Sequence, residues 1–183
     1  MTGVVDSGEL REALRSCLGV ERFVAEVAGA APFATNDELL ATADAVARTL
    51  TPAEVDAALA HHPRIGERAA GDGQSQRFSR SEQSSAEASD AGLAQAIADG
   101  NAAYERRFDR VFLVRAAGRG RAEILAELTR RLVLDDAAEA ATVASELHDI
   151  TLLRLASLYP PTAASGTAAT AASGTSPRAE GDA

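Results

Sequence analysis

Two adjacent histidines stand against a proline in "ALAHHPRIGE", and only one other histidine occurs in the chain. An imidazole titrates near neutrality, so a histidine aimed by a rigid turn suits general acid–base chemistry. His62 directly precedes Pro63, which forces the backbone before it out of the helical conformation. His61 competes for the role without that constraint. A plainer reading also holds, because a histidine at a helix C-terminus gains from the helix dipole. Further on, Ser79-Arg80-Ser81-Glu82-Gln83 reads as a capping box, with Ser79 as N-cap and Glu82 at N3. A helix start also offers free N–H groups and partial positive charge to polar or anionic groups. Gln83 adds an amide that both donates and accepts.

Arg154 is the third candidate. Leu147, Ile150, Thr151, Arg154 and Leu158 recur at i, i+3, i+4 spacing and so share one helix face. An arginine there snorkels to the edge, meets a carboxylate or binds a ligand. His148, alone on the same helix, reads as core or surface filler. With histidines only at 61, 62 and 148 and a single cysteine, Cys17, no metal-ligand spacing is present, and no metal site is expected. Gly118-Arg119-Gly120 lacks the glycine pattern and the strand–helix context of a phosphate loop.

The elements that must position these residues are helical nearly throughout. "SGELREALRSCL" and "VERFVAEVAGA" carry amphipathic spacing, and "TNDELLATADAVARTL" opens on N-capping residues. "TPAEVDAALAHH" starts with the box Thr51-Pro52-Ala53-Glu54 and must end near His62. Residues 63–78, with three glycines and little periodicity, read as a loop. A helix is expected to restart at Ser79. "DAGLAQAIADGNAAYERRF" continues the helical theme despite Gly100. "VFLV", within 111–114, is too short for a helix and reads as extended. "RAEILAELTRRL" and the long "DDAAEAATVASELHDITLLRLASL" close an all-α domain spanning 1–159. Residues 160–183 are Ala/Ser/Thr/Gly-rich with prolines, a low-complexity tail expected to be disordered.

Composition narrows the function classes. At 183 residues, the chain suits one domain with a sizeable core. A formal charge of -9 argues against nucleic-acid or anionic-membrane partners, which require a basic face. No apolar run is long enough to span a bilayer. The start lacks the basic and apolar regions of a signal peptide, and "EGDA" is no peroxisomal address, so a cytoplasmic location is expected.

Taken in order, "HHPRIGE", "SRSEQ", "YERRF…VFLVRAAGRGRAEILAELTRRL" and "ITLLRL" resemble the OHCU decarboxylase family, over roughly residues 10–158. OHCU is 2-oxo-4-hydroxy-4-carboxy-5-ureidoimidazoline, which that family converts to (S)-allantoin and CO2 in urate degradation. The resemblance implies an all-helical fold, a small-molecule substrate and no cofactor. Its members are often homodimers, though no decisive interface is legible here. The histidine of the family's "HP-x-hydrophobic-G" falls on His62, with Pro63 and Gly66 completing the motif. Its "S-x-x-E-Q" falls on Ser79, Glu82 and Gln83, its C-terminal "LRL" arginine on Arg154, and its extended piece on Phe112 to Gly118. By this likeness His62 and Glu82 carry the chemistry, while Pro63, Ser79, Gln83, Phe112 and Arg154 surround the substrate. Where members often read Phe-Gly and an apolar pair, this chain has Phe108-Asp109-Arg110-Val111. The chemistry needs no electron sink beyond the substrate, because a C=N bond beside the reacting carbon accepts the electron pair left by CO2. Two other readings remain open, a helical adaptor without catalysis and a lyase acting on a different ureide.

Overall fold

A computed structural model describes residues 7–60, 62–66, 74, 77–78 and 91–162. Among them are seven helices and no strand. They are α1 (Ser7–Cys17), α2 (Glu21–Gly29), α3 (Asn36–Ala47), α4 (Pro52–Leu59), α5 (Ala91–Phe108), α6 (Arg121–Arg131) and α7 (Asp136–Leu158).

Local chemistry sets most of the starts. Thr35 caps α3 by accepting from the Glu38 N–H, and Asp135 caps α7 by accepting from that of Ala138 at 2.7 Å. The box expected at Thr51 forms in full, with Pro52 in the first turn. Such caps each contribute about 1 kcal/mol. α4 ends at Leu59, as the His62–Pro63 pair requires. One expectation needs correcting. Gln74, Arg77 and Phe78, assigned to a loop because glycines break the periodicity, have helical backbone.

α7 runs for 23 residues, about 34 Å at the helical rise. It packs against α1, α3 and α4, while α5 and α6 pair with each other, running in the same direction, with Gly100 beside Leu128, Tyr104 beside Arg131 and Arg107 reaching the Leu134 carbonyl. Two hydrophobic clusters result. The larger is aliphatic, built from residues such as Leu14, Phe23, Val24, Leu59, Leu147 and Leu155. The smaller gathers Ile65, Ile97, Tyr104, Phe108, Phe112, Ile124 and Leu128 between α5, α6 and the segment before α6. α5 and α6 come close at Gly100, where an added Cβ would collide with Cδ2 of Leu128. At the far end, the Asn36 side-chain amide donates to the Pro160 carbonyl at 2.8 Å.

The link from α5 to α6 is extended, as "VFLV" suggested, yet it pairs with no strand. It begins at Asp109, whose φ of 53° lies in the left-handed region that favours glycine. Aspartate is among the few residues that tolerate this conformation as single positions. The turn is therefore made without a glycine.

Candidate functional site

His62 follows α4 by two residues. Its backbone N–H donates to the Leu59 carbonyl at 2.9 Å, and its ring Nδ1 lies 3.0 Å from the Ala58 carbonyl oxygen. A carbonyl only accepts, so Nδ1 carries the proton. In the neutral ring the lone pair then sits on Nε2. Pro63 is half-buried behind it, and Gly66, with φ +88°, closes the turn.

The three residues after Pro63 dock on α5. Arg64 forms a two-pronged ion pair with Glu105, Nε to Oε1 at 2.5 Å and Nη2 to Oε2 at 2.7 Å. The hydrogen bond from Arg64 holds the Glu105 carboxyl below the usual carboxylate range. The Ile65 side chain is buried in the smaller cluster, while its carbonyl accepts from Nδ2 of Asn101 at 3.0 Å. A cavity of about 310 Å³ opens beside this contact, lined by Arg64, Ile65, Gly66, Asn101 and Arg121 among others, with neither His62 nor Arg154 on its wall.

Arg154 sits on α7, which packs against α4. It is 3% exposed and so does not snorkel to the edge. Its Nη1 donates to the Cys17 carbonyl at 3.4 Å, and its guanidinium carbon lies 5.8 Å from the centre of the Phe78 ring. Phe78 immediately precedes Ser79 in the chain. Ser79, Glu82 and Gln83, with His61, lie outside the described residues. His148 is structural, as expected of it: Nε2 meets Oδ1 of Asp44 on α3 at 2.7 Å.

Phe112 lies apart from His62 and Arg154 in its packing. Its ring is in the smaller cluster, edge-on to Tyr104 at 5.2 Å and 4.7 Å under the Arg131 guanidinium. Arg131 is fully buried. Its Nε donates to Glu139 at 2.9 and 3.1 Å, its Nη2 also meets Glu139 Oε1, and its Nη1 donates to the Leu113 carbonyl at 2.6 Å. Tyr104 donates its hydroxyl to the same carboxylate. Burial pushes that hydroxyl above the ordinary phenol range, and the bond to Glu139 adds to the shift. Burial alone would lower the basicity of Arg131, but the hydrogen bonds and charge of Glu139 together with Tyr104 outweigh it, so the guanidinium stays charged. Two residues further along the extended segment, the Arg115 N–H donates to Glu146 at 2.6 Å.

Asn101, Glu105, Arg131, Glu139 and Glu146 were not singled out from the sequence. A signal existed for the first two, since Ile97, Asn101 and Glu105 fall at i, i+4, i+8 on one helix face. The other three pair across separate elements, which no local spacing encodes. Among the described residues, no group of three or more His, Cys, Asp or Glu side chains could hold a metal ion. None of the described helices is long and apolar enough to cross a membrane.

The OHCU decarboxylase family model matches residues 4–156. A curated relative, the uric acid degradation bifunctional protein TTL of Arabidopsis thaliana, is 30% identical over 146 residues. That match takes in 78% of this chain and 45% of the relative, so the chain spans under half of that protein's length. A crystal structure of an OHCU decarboxylase in the presence of (S)-allantoin superposes with a TM-score of 0.69 at 28% identity, covering 81% of this chain and 97% of that one. An (S)-allantoin synthase structure has a TM-score of 0.60 at 16% identity over 84% of this chain and 50% of that one, a likeness of fold alone. With the family model matching residues 4–156, nearly all of the helical domain, the chain belongs to the OHCU decarboxylase family.

Proposed function

We propose that this protein decarboxylates OHCU to (S)-allantoin and CO2 without a cofactor, using His62 as general acid and base. The observation that carries this reading is the placement of His62. By the resemblance read from the sequence it falls on the family's histidine, directly before Pro63, and its ring is anchored on the Ala58 carbonyl. The anchor leaves Nε2 as the basic nitrogen of the neutral ring.

In the reaction, the bond between the ring carbon and its carboxylate breaks and CO2 departs. The electron pair moves into the adjacent C=N bond, and one proton completes the product. Nε2 takes the proton of the substrate hydroxyl and delivers one to the ring from a single face, which fixes the S configuration. Proton transfer of this kind contributes typically about 10²–10⁴-fold. Positioning supplies the rest, because the breaking bond must stand perpendicular to the ring to overlap the C=N. The buried charge of Arg154 suits the substrate carboxylate or another polar edge. Glu82 shares the catalytic work and, with Gln83, clamps ring and ureido nitrogens, supported by Ser79. Pro63 shapes the wall beside His62. Phe112 contributes through its backbone, its ring being taken up by packing.

OHCU generated in situ from urate, by a urate oxidase and a hydroxyisourate hydrolase, tests the proposal. The wild-type protein should give fast, single-handed allantoin by circular dichroism. His62→Ala should stay folded and fall to the slow racemic background. If wild type matches that background, the decarboxylase reading fails. If His62→Ala keeps full activity, the enzyme stands and the histidine assignment fails.

A further inference from the structure

His62 sits in a segment with no secondary structure of its own, so something outside the segment must fix it. Three residues of α5 meet the three residues after Pro63 in register. Ile97 packs beside Ile65 and Gly66, with its Cγ2 3.9 Å from where a Cβ on Gly66 would be. Asn101, one turn on, is 5% exposed and donates Nδ2 to the Ile65 carbonyl. Glu105, a further turn on, holds Arg64 through both prongs of its guanidinium. Spacing of four residues keeps all three on one face. The three contacts differ in kind, one apolar, one a neutral hydrogen bond and one ionic, so together they fix both the height and the rotation of the turn.

We propose that Ile97, Asn101 and Glu105 form a positioning latch that sets the His62–Pro63 turn, with Asn101 as its central residue. None of the three needs to touch substrate. The proposal rests on the catalytic role given to His62, and displacing a catalytic group by about 1 Å can cost about 100-fold in rate. The Asn101 contact is the decisive one because it is buried. Asn101→Asp keeps the shape of the side chain but replaces the donor with an acceptor facing a carbonyl.

Steady-state kinetics on Asn101→Asp, checked for folding by far-UV circular dichroism, should show kcat reduced about 10- to 100-fold with KM within about 2-fold of wild type. Asn101→Ser, which retains a donor, should recover part of kcat. Glu105→Arg should lower kcat less, and adding Arg64→Glu should restore it. Gln95→Ala, on the same helix but paired only with Asp99 at the surface, should leave turnover unchanged. Amide hydrogen exchange of residues 62–66 should quicken at least about tenfold in Asn101→Asp, in line with the loss of a local closing contact. A folded Asn101→Asp with wild-type kcat, or with exchange at 62–66 unchanged, overturns the latch. The exchange readout needs no activity, so an inactive wild type sinks the decarboxylase reading while the latch is still decided.

Discussion

The aliphatic cluster beneath α1 to α4 and the aromatic cluster between α5 and α6 differ in where they keep their arginine–carboxylate pairs. Around the aliphatic one the ion pairs stay outside. Arg22 grips Glu54 at 2.8 Å, and Arg48 grips Asp44 at 3.0 Å, all of them with solvent at hand. The aromatic cluster carries an arginine and a glutamate at its centre, 0% and 1% exposed. Burying that pair is costly, and apolar side chains would often fill the space at equal or better stability. What apolar side chains would lack is a donor for the Leu113 carbonyl and an acceptor for the Tyr104 hydroxyl. The difference shows one cluster serving to hold helices together and the other serving to shape an irregular segment beside the candidate site.

Breaking the charged centre should have the largest effect. Glu139→Leu leaves Arg131 buried without its counter-charge and should destabilise by about 3–5 kcal/mol, read by urea unfolding. Adding Arg131→Met should recover part of that loss but not all, because Leu113 and Tyr104 keep unmet polar groups. An aliphatic truncation should cost somewhat less. Leu147→Ala, fully buried against the first cluster, should lose about 3 kcal/mol, with no change in turnover beyond the loss of folded protein. If instead Leu147→Ala lowers kcat per folded molecule and Glu139→Leu does not, the division of labour is reversed.

Smaller effects sharpen the contrast. Asp109→Gly should raise stability by about 1 kcal/mol, since it removes the strain of a left-handed aspartate. A thermal melt would detect this, and a neutral or destabilising result would mean the aspartate side chain offsets its own strain. The pH dependence gives the last test. Hydrogen bonding from Arg22 lowers the Glu54 carboxyl to about 2. A lowered folded pKa stabilises above the ordinary value of 4.5 and loses that stabilisation as pH falls toward 2. Glu54→Gln should therefore flatten the stability profile of the protein across that window, modestly, because the half-buried pair still touches solvent.

Much of the fold was legible because its signals are local. Thr51-Pro52-Ala53-Glu54 announces a helix within four residues, and Asp135 does the same for α7. α5 could be read through Gly100 because the apolar spacing continues on both sides. The helical backbone at Gln74, Arg77 and Phe78 was missed because glycines and polar residues there hide any stripe. At the site, His62 and Arg154 could be found from a proline and from a helix face. Asn101 shares a helix face with Ile97 and Glu105, but the spacing does not name its partner, a backbone carbonyl 36 positions away. The Arg131–Glu139 pair looks, in sequence, like two unrelated surface charges.

The extended segment after Asp109 has a consequence of its own. A lone stretch of β-like backbone in a helical protein is an open edge on which another chain can pair. Along an extended chain, the carbonyl of residue 113 and the N–H of residue 115 point to the same side. Arg131 occupies the first and Glu146 the second. Two side chains thereby seal one margin of the segment against strand addition, so backbone that no strand partners is guarded on one side against self-association.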